Sequence, residues 1–194
     1  MNRRATVSRT TRETSVEVTL NLDGSGEASV ETGVGMYDHL LSSFAHHAML
    51  DLVVRTEGDL HIDEHHTVED TALVLGSAID EALGDRSGIR RFADASIPMD
   101  EAVATCVVDA GGRPYVVLDL VFAGERIGTL GTQMVPHSLE SLIRASRSTV
   151  HLSAHGMNDH HVAEAAFKAY GVALRGAASP DERRQGVPST KGTL

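Results

Sequence analysis

Two short stretches of this chain gather residue types that bind cations: His65-His66-x-x-Glu69 and His160-His161-x-x-Glu164. Imidazole nitrogen with carboxylate oxygen suits a divalent metal such as manganese, iron, cobalt, nickel or zinc, and no thiolate set is present for a structural zinc site. Residues three apart on a helix share a face, so His66 with Glu69, and His161 with Glu164, are each expected to meet one ion. Adjacent residues diverge by about 100° around the axis, which sends His65 and His160 elsewhere, toward a second ion. His39 and His137 lie upstream of the doublets at matching places. They bring the set to six imidazoles and two carboxylates, enough for two six-coordinate metals with positions open to water or substrate. Asp38, Asp63 and Asp70 stand beside these histidines as acceptors for their outer ring N–H groups. Asp63 and Asp70 read equally well as caps or charges at a helix start. His46, His151 and His155 belong to no such motif and read as ordinary side chains.

The elements that would carry these groups are written twice. In the first half, alternation predicts a strand over 14–22, a hairpin turn at Asp23-Gly24-Ser25-Gly26 and a returning strand over 27–32. A helix over 37–47, a strand over 50–55 and a helix over 68–83, stopped by Gly84, follow. The second half repeats the order with strands 101–109 and 115–122, a helix over 136–147, a strand over 149–154 and a helix over 162–175. His39 corresponds to His137, and each doublet falls where the last helix begins, which marks an internal duplication. The expected fold is therefore α+β, built from two β-β-α-β-α half-domains, 1–92 and 93–180, packed as one domain. A tail, 181–194, ends in a stretch from 186 onward that has no periodicity and by itself reads as an unstructured end.

A length of 194 residues suits one such domain. With aromatics at 4% and no Trp, the core must be packed from Ala, Val and Leu. The net charge of −10 argues against nucleic acid as a partner and requires any phosphate ligand to find a local basic pocket. The single cysteine, Cys106, has no partner for an internal disulfide and reads as an inert buried thiol. The basic start Met1-Asn2-Arg3-Arg4 is followed by a polar run instead of an apolar one, and no stretch nears the roughly 18 apolar residues of a membrane helix. The expectation is a cytoplasmic protein without membrane contact.

Beyond the paired motifs, the chain carries Arg12-Glu13-Thr14, Asp38-His39-Leu40-Leu41, the run from His61 to Asp70, and Gly112-Arg113-Pro114-Tyr115. It also carries Asn158-Asp159-His160-His161-Val162-Ala163-Glu164, Phe167-Lys168-Ala169 and Ser189-Thr190-Lys191-Gly192. Together these resemble the imidazoleglycerol-phosphate dehydratase family over essentially the whole length. The resemblance implies a duplicated α+β fold, two manganese ions per active site, and a homo-oligomeric cage of 24 subunits with sites where protomers meet. It carries the metal role onto His39, His65, His66, Glu69, His137, His160, His161 and Glu164. Substrate contact is implied for Glu13, His47, Arg91, Arg113, Lys168, Ser189, Thr190 and Lys191, with Glu13 and His47 as the catalytic candidates. The tail thereby gains a purpose, because its hydroxyls and ammonium suit a phosphate, as do the forked donors of Arg91 and Arg113. Pro136 departs from the acidic residue that many relatives place before the metal histidine, and a first helical turn tolerates proline.

The implied reaction dehydrates D-erythro-imidazole-glycerol phosphate to imidazole-acetol phosphate in histidine biosynthesis, through a metal-bound imidazolate whose electrons expel the neighbouring hydroxyl. Glu13 is the candidate base, and His47 or a metal-bound water protonates the departing hydroxide. Arg91, Arg113, Lys168 and Lys191 would anchor the phosphate and hold the reacting carbons in register. A dinuclear metal phosphoester hydrolase is the main rival, since two ions with such ligands suit that chemistry too. A metal-storage protein is the other, although storage tends to use low-complexity His tracts, not histidines in repeated helices.

Overall fold

The computed structural model describes residues 3–193; Met1, Asn2 and Leu194, at the ends of the expected half-repeat and tail, lie outside the described residues. The first half runs β1 (Arg4–Thr10), β2 (Thr14–Asn21), β3 (Ala28–Glu31), α1 (Gly35–Ala48), β4 (Asp51–Gly58) and α2 (His65–Leu83). The second runs β5 (Phe92–Met99), β6 (Ala102–Asp109), β7 (Tyr115–Leu120), the short pair β8 (Arg126–Ile127) and β9 (Leu130–Gly131), α3 (Met134–Ala145), β10 (Thr149–His155) and α4 (Asp159–Ala178). The duplicated α+β architecture is as the sequence indicates, with one strand more in each four-stranded sheet and the short β8–β9 pair added in the second half. β1 and β5 escape the alternation rule because they are edge strands, largely exposed along their length.

The two sheets have matching orders, β1-β2-β4-β3 and β5-β6-β10-β7. The hairpin expected across Asp23–Gly26 does not form. β4 inserts between β2 and β3, so that β3 pairs parallel with β4, as β7 does with β10. Parallel neighbours need a crossover, and α1 and α3 supply it. The Asp23–Gly26 segment packs on Asp51, whose carboxylate accepts from the Ser25 N–H at 2.7 Å and its hydroxyl at 3.2 Å.

One face of each sheet is covered by helices. β2 buries Val16, Val18 and Leu20 and turns Ser15, Glu17 and Thr19 to the outside, the pattern of a half-buried strand. α2 packs on β1 and β2, and α4 on β5 and β6; between the sheets, α1 packs on α4 and α2 on α3. The halves therefore join helix to helix, each last helix against the first helix of the other half. Phe44 stacks on Tyr170 across the α1–α4 contact with ring centroids 5.3 Å apart. Both crossings are close because a glycine stands at each. A Cβ on Gly76 would lie 2.4 Å from the Leu142 carbonyl oxygen, and one on Gly171 would lie 2.7 Å from that of Phe44. Cys106 is buried in the second sheet, where desolvation pushes its thiol pKa up and leaves it unreactive. Pro136 sits in the first turn of α3, without disturbing the helix.

The tail is fastened. The Gly88 N–H donates to Gly186 O at 2.9 Å, Arg91 Nη1 donates to Pro188 O at 2.8 Å, and Pro188 is buried.

Candidate active site

α2 begins at His65 and α4 at Asp159, so both doublets are helical. The pairing within them differs from the expectation. The first histidine of each doublet, not the second, turns toward the carboxylate. His65 Nε2 lies 3.7 Å from Glu69 Oε2, and His160 Nε2 lies 3.1 Å from Glu164 Oε2. Four residues advance a helix about 40° past a full turn and three stop about 60° short, so the i,i+4 pair lies nearer to one line along the axis. The upstream histidines complete each group from the other half. His39 Nε2 is 3.0 Å from Glu164 Oε2, and His137 Nε2 is 3.4 Å from Glu69 Oε1. The result is two clusters, His39-His160-Glu164 and His65-Glu69-His137, in each of which the ligand atoms lie within 4.8 Å of one another.

Both clusters have the chemistry of a divalent metal site. His137 Nε2 is buried and makes no hydrogen bond despite the nearby Glu69, a donor set short of one partner. Burial raises the pKa of Glu164, but Lys168, 2.7 Å from its Oε1, and His39 outweigh that and hold it at about 2. The carboxylate is therefore ionised at neutral pH, as a metal ligand must be.

His66 and His161 take no part in their own chain's clusters. His66 Nδ1 lies 2.9 Å from Asp59 Oδ2, and His161 Nδ1 lies 2.8 Å from Glu101 Oε2. These hydrogen bonds raise both imidazole pKa values, while Glu101, bonded to His161 and to the Asn158 N–H, is held at about 2. Sequence reasoning missed Asp59 and Glu101 because each reaches its histidine through the fold and not through a helical spacing. The three aspartates singled out instead do other work. Asp38 accepts from the Thr32 N–H and hydroxyl. Asp63, one residue before the N-cap Glu64, accepts from the His65 N–H at 2.8 Å. Asp70 pairs with Arg9 and Thr14.

The remaining site residues fall into separate places. Glu13, exposed in the β1–β2 turn, has Oε2 3.9 Å from His66 Nε2. Lys168 joins the His39-His160-Glu164 cluster through its ion pair with Glu164, away from the phosphate pocket with which it was expected to act. His47, near the end of α1, has its pKa lowered by partial burial and then by the charge of Lys168. Arg91, Arg113, Ser189, Thr190 and Lys191 line one open depression of about 790 Å³. Arg91 is already engaged there, with Nε and Nη2 on the two oxygens of Asp109 at 2.7 and 3.0 Å, and Nη1 on the tail. It holds the wall of the pocket and has donors to spare.

This cationic depression lies far from both clusters of the same chain. The Arg91 N–H bonds to Ala177 O at the end of α4, about 20 Å along the helix from Glu164. The segment carrying Arg91 also leaves the end of α2, again about 20 Å along the helix from Glu69.

Comparison with known proteins identifies the family. The family profile described as imidazoleglycerol-phosphate dehydratase matches residues 32–174, which include both clusters. Over the full length, the chain is 54% identical to the imidazoleglycerol-phosphate dehydratase of Thermobifida fusca, covering all of both chains. It is 50% identical to that of Methanococcoides burtonii, covering 99% of this chain and 100% of that one. Its fold is similar to that of the imidazoleglycerol-phosphate dehydratase of Staphylococcus aureus, with a TM-score of 0.83 and 32% identity over 92% of this chain and 99% of that one. It is also similar to IGPD from Pyrococcus furiosus in complex with (S)-C348, with a TM-score of 0.82 and 33% identity over 97% and 100% of the two chains. A match of this extent, by sequence and by fold, means that the chain belongs to the imidazoleglycerol-phosphate dehydratase family and is a hydro-lyase of histidine biosynthesis.

Proposed function

We propose that the chain dehydrates D-erythro-imidazole-glycerol phosphate to imidazole-acetol phosphate with two manganese ions per active site, in sites that residues of neighbouring copies complete. The observation that carries this reading is the pair of crossed His-His-Glu clusters, each missing further ligands, with a cationic pocket at the opposite ends of the same helices. An imidazole ring and a phosphate joined by three carbons cannot span some 20 Å of helix. The two ends must then come from different copies, which favours an assembly such as the 24-subunit cage.

His39, His160 and Glu164 would hold one ion and His65, Glu69 and His137 the other, with His66 and His161 offering Nε2 to the clusters of adjacent copies. Bound metal would supply Lewis acidity toward the substrate ring, easing loss of its N–H proton. Glu13, exposed and beside His66, would take the proton from the carbon next to the phosphate-bearing one. Burial and Lys168 depress the His47 pKa and so favour its neutral ring, better suited to accept a hydrogen bond than to deliver a proton. Arg113, Lys191, Ser189 and Thr190, with the spare donors of Arg91, would bind the phosphate and fix the chain of reacting carbons.

A product assay with manganese tests the reading. The expected product is a ketone with its phosphate still attached, and Glu13→Gln should lower kcat by about 100-fold or more with manganese content unchanged. Release of inorganic phosphate without a ketone would identify a phosphoester hydrolase instead.

A further inference from the structure

The second histidine of each doublet is held by a carboxylate on Nδ1, His66 by Asp59 and His161 by Glu101. An ionised carboxylate only accepts, so Nδ1 carries the proton and the lone pair of the neutral ring is left on Nε2. The hydrogen bond also fixes the ring about its own axis.

The two carboxylates do not come from matching positions of the duplication. Asp59 directly follows β4, and the residue that directly follows β10 is Gly156, where a Cβ would lie 2.6 Å from that of Ala102. A side chain there would have to displace Ala102. In that half Glu101, the last residue before β6, takes over, and it binds the Met157 and Asn158 N–H groups as well. Its counterpart before β2 is Glu13. That carboxylate is left untied, with Oε2 3.9 Å from the Nε2 side of His66, because Asp59 already holds Nδ1.

We propose that Asp59 and Glu101 are positioning residues that orient His66 and His161 for metal, and that Asp59, by taking this task in the first half, leaves Glu13 free for the substrate. The inference rests on the manganese reading above. Its physical content is orientation through one accepted hydrogen bond, not the negative charge beside the ring.

Calorimetric titration of the metal-free, full-length protein with manganese chloride tests this. Asp59→Ala and Glu101→Ala should each weaken manganese binding by about 10- to 100-fold. Asp59→Asn and Glu101→Gln keep an amide oxygen that accepts from Nδ1–H and should restore most of that affinity. Circular dichroism confirms that each variant is folded. Wild-type affinity in Asp59→Ala would overturn the proposal, and so would Asn and Ala variants that are equally weak. A wild-type chain that binds no manganese would instead overturn the metal reading itself.

Discussion

His137 carries the plainest sign of a missing partner. Its Nε2 is buried, faces Glu69 and His65, and makes no hydrogen bond. An uncompensated buried nitrogen of this kind costs free energy unless a cation or proton satisfies it. His151, by contrast, stands exposed on the outer face of β10 and belongs to neither cluster. His137→Ala should therefore bind about half as many manganese ions per chain as the wild type, since one of two sites loses a ligand, whereas His151→Ala should bind the full number. Metal content after dialysis, measured by elemental analysis, checks this, and a full complement in His137→Ala would remove the residue from the site.

Element by element, the duplication extends beyond the histidines. Gly76 and Gly171 each stand eleven residues after the first histidine of their doublet, and each lets its helix approach the other half's first helix. A methyl group at Gly171 would press on the Phe44 carbonyl at 2.7 Å, and one at Gly76 on the Leu142 carbonyl at 2.4 Å, so backbone has to move. Gly76→Ala and Gly171→Ala should each destabilise the fold by about 1–3 kcal/mol, visible as a lower Tm in thermal melts. Unchanged melting in both would mean that the helix pairs part at no cost. The α+β class, the repeat and the helices that carry the doublets were open to view in the sequence. The strand order was not, because a period of two reports which face is buried and is silent on which neighbour a strand takes. β3 therefore read as the return arm of a hairpin. The partners of His66 and His161 were hidden for the same reason: Asp59 and Glu101 meet them only after β4 and the β5–β6 turn have been placed.

For the whole molecule, the decisive fact is a separation. Both His-His-Glu clusters sit near the starts of α2 and α4, and the cationic depression sits near their ends. A protein with net charge −10 attracts a phosphate only where its cations are concentrated, and here that place is Arg113, Arg184, Lys191 and their neighbours. If one substrate touches clusters and pocket at once, the contributing chains differ, and damage in one chain can be compensated by another. His137→Ala breaks a cluster and Arg113→Ala breaks the pocket, so each variant alone should be inactive or nearly so. Unfolded together and refolded as mixed oligomers, or co-expressed with separate tags and isolated as mixtures, they should regain up to about a quarter of wild-type activity, the share of sites that draw both parts from undamaged copies. Were each site contained in one chain, every site in the mixture would carry a defect, and no activity would return.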